Sequence, residues 1–367
     1  MKPRRVPSRL IISSLVVALL HLTLLPSVAH ADAIDDMLAA GSYADGEVVA
    51  AFMSQDGKVM VQSDAPYEIK PLMRVGASAR RANDGTLAAQ GERDMTLSSV
   101  SSATLSTEEL LRLLAEDPNV AFAEPNYTFL LEDANQSGTR PRGVLSPQAD
   151  ASTVGDLKSM QWGNWTTDQT MRTEAFTANP SVNVPNFAAS LRGANMSKPV
   201  VVALLDTAVD NRHSDLTNVL YHFSPEQQAA LGCYDMGYNA GNKGARGNYY
   251  NPESVSIGHG THTAGIIGAE WNGFGTSGVA SDVRIVSIDF ASKGGAVTTS
   301  DAICAFEFVD RFNKQASDDE RIRITSNSWG AMHTSRAIDA AVRKLGETWN
   351  TVSVFSAGND GRNNDHY

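Results

Sequence analysis

The chain has only two cysteines, Cys233 and Cys304, in 367 residues. That count excludes a disulfide-dense scaffold and a cysteine-based zinc site, and leaves room for one bridge. Basic clusters are missing beyond the first nine residues, and 30 Lys and Arg against 41 Asp and Glu give a net charge of −11. A nucleic-acid binder needs a concentrated basic surface, so no nucleic-acid partner is expected. Past Leu25 no apolar run reaches the ~20 residues that a helix needs to cross a bilayer. No G-x-G-x-x-G turn follows a strand-like segment, which argues against a dinucleotide-binding domain. What the chain does have is 42% hydrophobic residues, enough for a sizeable core. At ~150 residues per domain its length suits about two domains.

Lys2, Arg4, Arg5 and Arg9 precede an apolar stretch from Leu10 to Leu25, which Pro26 breaks. Ala29-His30-Ala31 then places small residues at the two positions a signal peptidase reads. Residues 1–31 are therefore expected to be a signal peptide, and the product to be secreted or extracytoplasmic after cleavage near Ala31, with no stable membrane anchor in the mature chain.

Residues 32–131 read as a small α+β domain. Val48 to Phe52 suits a strand, Ser106 and Glu109 have capping-box spacing before Leu110, Leu111, Leu113 and Leu114, and Val120 to Phe122 suits a strand ending at Pro125. Residues 132–160 turn polar, with Asn, Gln, Ser, Gly and Pro, as expected of a linker and processing region. Residues 161–367 have an α/β texture. The apolar runs Val200 to Leu205, Val283 to Ile288 and Thr351 to Phe355 suit strands buried on both faces. Ile303, Phe306, Val309 and Phe312, after a capping Ser300 or Asp301, mark one helix, and Ile338, Ala341, Val342, Leu345 and Trp349 another. The alternation predicts a parallel sheet with right-handed crossovers and a ligand site at the carboxyl ends of its strands.

Three of those ends carry chemistry. The first strand runs out in Asp206-Thr207-Ala208, a carboxylate where a buried strand opens into a loop. Gly258-His259-Gly260-Thr261-His262 sets small residues around a histidine at a helix start, which permits close backbone approach. His259 and His262 lack the intervening glutamate and third ligand of a zinc site. Ser356-Ala357-Gly358-Asn359 follows the last strand. An Asp, a His and an Asn in this order are three parts of an acyl-transfer site. Asp206 would hold the His259 tautomer and stabilise its imidazolium, His259 would take a proton from a hydroxyl nucleophile, and the Asn359 amide would donate to the oxyanion.

On Val202 to Asp206 with His213-Ser214-Asp215-Leu216, His259 to Gly265, Ser326-Asn327-Ser328-Trp329-Gly330 and Ser356 to Asn359, the chain resembles the subtilisin-like serine peptidases, family S8. The oxyanion role given to Asn359 is that of the corresponding asparagine in subtilisin and is carried over from it. Asp117 to Tyr127 is similar to the end of the family's inhibitory propeptide. The resemblance implies a parallel-sheet α/β catalytic domain preceded by the propeptide domain, which assists folding and fills the substrate cleft until it is cut away. It implies peptide or protein substrates and the chain's own propeptide as intramolecular inhibitor. Ser328, Trp329 and Gly330 would line the primary specificity pocket and pair with the substrate backbone. No cofactor is needed for the chemistry. Asp215 and Asn272, with carbonyls of the Glu270 to Thr276 loop, fall where family members hold a structural calcium.

The family's nucleophile sits in a later Gly-Thr-Ser-x-Ala-like turn, and residues 1–367 contain none. Ser328 and Ser356 match positions with other roles and do not replace it. Residues 161–367 are thus expected to be the N-terminal part of the catalytic domain, inactive on their own. Ala208, where the family has Gly, is a smaller departure. The competing reading is a non-catalytic protein, either a pseudoprotease that holds peptides or a propeptide-type inhibitor or chaperone of a protease.

Overall fold

A computed structural model of the chain describes residues 31–55, 58–59, 65–76, 94–130, 198–241, 257–272, 275–291, 296–330 and 333–359. The expected signal peptide before Ala31 and the expected linker at 132–160 lie outside the described residues.

The N-terminal unit is an antiparallel sheet with two helices. Helix α1 (Ala31–Ala40) precedes β1 (Tyr43–Gln55), β2 (Lys58–Val59), β3 (Glu68–Val75), β4 (Met95–Ser101), α2 (Thr107–Ala115) and β5 (Val120–Leu130). The strands run in the order β3-β4-β1-β5, with β2 paired to β1. Strand periodicity divides β1 between two cores. Val48, Ala50 and Phe52 pack with Ile34, Leu110, Leu111 and Leu114 of the helices, whereas Val49 and Ala51 turn to the opposite face. Helix α2 starts where its spacing predicts: Ser106 accepts from the Glu109 N–H and the Glu109 carboxylate accepts from the Ser106 N–H. Strand β5, by contrast, does not end at Pro125 but runs to Leu130. Pro125 falls at a pair beside a shift in the β1–β5 register, where a missing N–H is tolerated.

The second unit is a parallel sheet of β6 (Val200–Asp206), β7 (Gly237–Asn239), β8 (Val283–Asp289), β10 (Ile322–Asn327) and β11 (Val352–Phe355), in the order β11-β10-β6-β8-β7. Connecting it are α3 (Pro225–Leu231), α4 (Ile257–Gly268), α5 (Thr299–Gln315) and α6 (Arg336–Trp349), with the short strand β9 (Ala296–Thr298) ahead of α5. The three expected strands are present and β6 is central; β6 and β8 are largely buried as expected, but the strand over Val352–Phe355 is not buried on both faces, since Val352, Val354 and Phe355 are exposed among the described residues. Its Val202 and Leu204 pack with Ile285 and with Ala264 of α4 on one face. Val201, Ala203 and Leu205 meet Ile303, Phe306, Ala337, Ala341 and Leu345 of α5 and α6 on the other. That second core also holds Val49, Ala51 and Leu97 of the antiparallel sheet, so α5 and α6 are covered from both sides. The cap of α5 is Thr298, with Asp301 as its reciprocal partner, rather than Ser300 or Asp301. Because β9 ends at Thr298, the helix begins at once and takes Ser300 into its first turn.

Candidate active site

The carboxyl end of β6 delivers Asp206, fully buried, to the start of α4. His259 Nδ1 lies 2.6 Å from Asp206 Oδ1. A carboxylate only accepts, so Nδ1 carries the proton and Nε2 is left as the basic nitrogen. The Thr207 N–H also donates to Asp206 Oδ1, at 2.6 Å. Two further hydrogen bonds pin α4 to the loop behind the acid: the Gly260 N–H donates to Thr207 Oγ1, and the Asp210 N–H to Thr261 Oγ1, each at 2.8 Å. A Cβ at Gly260 would stand 2.1 Å from the Thr207 carbonyl oxygen, so the glycine permits the approach. Ala208 fits without strain: among the described residues Asn350 is the non-glycine residue with positive φ. Asp206 Oδ2 is buried and has no hydrogen-bond partner among the described residues.

Beside Asp206 stands a carboxylate that the sequence patterns do not single out. Asp289 ends β8 and pairs in register with Asp206. Burial pushes its carboxyl up to about 7, the charge of Asp206 adds to the rise, and the N–H groups of Ala291 and Ala208 pull the other way. Its signal was available, because β8 ends as β6 does, with an apolar run closing on Asp.

The other candidate site residues, Ser328 to Gly330 and Asn359, also follow strand ends. β10 leads into Ser328, buried Trp329 and exposed Gly330. The Asn327 amide donates to the Val354 carbonyl and the Ser356 N–H to the Asn327 carbonyl, which joins this segment to the loop bearing Asn359. Asn359 itself is exposed beyond the end of β11. Asp215 is buried and its Oδ2 accepts from the Thr276 N–H at 2.9 Å. Its Oδ1 lies 3.4 Å from the Asn272 amide nitrogen, so the two expected calcium residues are neighbours. A carboxylate and an amide that can turn its oxygen inward are a donor set suited to calcium. No cluster of three or more His, Cys, Asp or Glu able to hold a metal occurs among the described residues, His259 and His262 included. Cys233 and Cys304 are not joined by a disulfide.

The N-terminal unit packs against β9, Trp329 and the starts of α5 and α6. The end of β5 adds to β9 as an antiparallel strand, with Thr128, Phe129 and Leu130 opposite Thr298, Val297 and Ala296. Phe129 stacks on Trp329, with ring centroids 5.3 Å apart. Upstream, buried Glu124 accepts from the Ser335 hydroxyl and from the Arg336 N–H at the start of α6. Asn126 accepts from the Ser300 N–H at the start of α5. One strand thus satisfies donors at two helix N-termini. Burial raises the Glu124 pKa, and these donors oppose the rise. Tyr127 packs on the His333 ring at 3.9 Å, and burial lowers the His333 pKa.

Fold and site define the class: an α/β protein with a carboxylate-oriented histidine at the carboxyl ends of parallel strands. Residues 197–367 match the peptidase S8 profile, the subtilase family. The chain is 25% identical over 324 residues to the thermophilic serine proteinase of Bacillus sp. strain AK1, covering 88% of this chain and 60% of that protein. It is 24% identical over 259 residues to the minor extracellular protease Epr of Bacillus subtilis strain 168, covering 71% and 31%. The crystal structure of fervidolysin from Fervidobacterium pennivorans, a keratinolytic enzyme related to subtilisin, shares the fold at a TM-score of 0.50 and 18% identity, over 87% of this chain and 40% of that one. The chain spans 12% to 60% of the length of the curated relatives it matches.

Proposed function

We propose that residues 1–367 supply the acid, base, oxyanion donor and peptide-binding strands of an exported serine endopeptidase, with its inhibitory propeptide still in the cleft. The observation that carries this reading is the 2.6 Å contact between Asp206 and His259. Asp206 orients the imidazole and stabilises its protonated form. His259 accepts the proton of an attacking hydroxyl and returns it to the leaving amine, and the Asn359 amide donates to the oxyanion. Ser328, Trp329 and Gly330 border the extended peptide, which adds to a strand edge as β5 does. Asp215, Asn272 and neighbouring loop carbonyls would hold a structural calcium, which would steady the loop and take no part in the chemistry. Residues 1–31 direct export, 32–131 form the propeptide, 132–160 the processing region and 161–367 the N-terminal part of the catalytic domain.

The hydroxyl nucleophile is not among these residues, so the purified 367-residue chain is expected to show negligible peptide hydrolysis. The coding sequence continued through a Gly-Thr-Ser turn is expected to yield a product that cleaves casein and loses that activity in His259→Ala. Hydrolysis by the 367-residue chain that persists in His259→Ala would overturn the assignment.

A further inference from the structure

We propose that Asp289 is a positioning residue for the acid and base, tying the turn behind Asp206 to the strand end beside it and setting by its own charge how readily His259 takes a proton. The inference rests on reading Asp206 and His259 as acid and base. Asp289 and Asp206 stand in register at the carboxyl ends of adjacent parallel strands. The Phe290 N–H donates to the Asp206 carbonyl at 3.2 Å, so the two strand ends are joined beyond the acid. The Asp289 carboxylate accepts from the N–H groups of Ala208, two residues past Asp206, and Ala291, two residues past itself. The first bond fixes the turn that aims Asp206 at His259. The second fixes the start of the segment leading to β9, where β5 is seated. On its far side, the Asp289 carbonyl accepts from the Ala240 N–H at 2.6 Å.

Its charge follows from its surroundings. Among the described residues, β6 brings Asp206 against it, β7 sets the uncharged Asn239 in register with it, and α4 brings His259 to Asp206. Two neighbouring buried carboxyls resist ionising together. Asp206 has a hydrogen-bonded imidazole as partner, whereas Asp289 has backbone N–H groups and a carboxyl pushed up to about 7. Around neutrality Asp289 therefore alternates between acid and carboxylate. Each ionisation adds negative charge beside the pair and favours the imidazolium form of His259.

The test is the NMR titration of the His259 ring in the full chain, in wild type, Asp289→Asn and Asp206→Asn. Wild type is expected to show a His259 curve with a second inflection where Asp289 ionises. Asp289→Asn removes that inflection and lowers the midpoint by about half a pH unit or more, the order expected from deleting one nearby charge. If Asp206→Asn moves His259 but Asp289→Asn does not, the role of Asp289 is overturned and the acid–base reading stands. If Asp206→Asn leaves His259 unmoved, the pair itself is misread and the inference falls with it. A lower stability of Asp289→Asn with an unmoved His259 curve marks a purely structural carboxylate and also overturns the proposal. Should Asp289→Asn fail to fold, wild type decides through carboxyl-carbon resonances. Asp289 titrating in step with His259 supports the proposal, and Asp289 ionised throughout, or titrating without effect on His259, contradicts it.

Discussion

A methyl group at Gly260 would stand 2.1 Å from the Thr207 carbonyl oxygen, which is backbone and cannot swing aside. Gly260→Ala is therefore expected to destabilise the chain by about 1–3 kcal/mol, because α4 must move away from the acid-bearing loop. Urea unfolding measures this, and a midpoint equal to wild type would contradict the packing described. Asp289 sets a pH dependence at the same scale. Its carboxyl rises from 3.8 to about 7 on folding, so between those values the folded chain binds the extra proton. The stability it contributes is complete below pH ~4 and is lost as pH rises through ~7. Unfolding at pH 5 and at pH 8 should show that loss in wild type and a smaller one in Asp289→Asn; equal losses would remove Asp289 as the cause. Asp206 and His259 are legible in the sequence because each sits in a local pattern with a physical purpose, an apolar strand closing on a carboxylate and a histidine flanked by glycines. Asp289 closes β8 in the same way, but a lone Asp at a strand end is ordinarily a turn residue. Only the strand order, which puts β8 beside β6, gives it meaning.

Among the elements, β5 does the most joining, and only part of it is legible in the sequence. Its first residues show in their composition, but a proline is a weak stop at a register shift, and the strand continues to meet β9. The caps it offers to α5 and α6 join residues more than 170 positions apart, so no local pattern announces them. Thr298 escapes sequence reasoning for a related reason: the boundary of α5 depends on where β9 ends. Glu124→Ala is expected to cost about 1–3 kcal/mol by leaving the Ser335 hydroxyl and the first N–H groups of α6 without their acceptor. Thermal unfolding beside Glu124→Gln, which keeps an acceptor oxygen, checks this; a Glu124→Ala chain as stable as wild type would contradict the capping role.

For the whole molecule, the two sheets share one core through α5 and α6, and the N-terminal unit pairs with β9 rather than resting at a distance. The parallel sheet is legible because strands buried on both faces read as continuous apolar runs. The mutual seating of the two units is not, because it is made of a strand edge, two helix ends and the stacking of Phe129 on Trp329. Everything assigned to the site depends on Asp206 holding the Nδ1–H of His259. The most direct measurement is the proton spectrum of the 367-residue chain in the far-downfield region where a carboxylate-bound imidazole N–H resonates. A resonance assigned to His259 in wild type and absent from folded Asp206→Asn is the result predicted. A folded wild type without it, or a resonance that survives in Asp206→Asn, would contradict the pairing on which the reading stands.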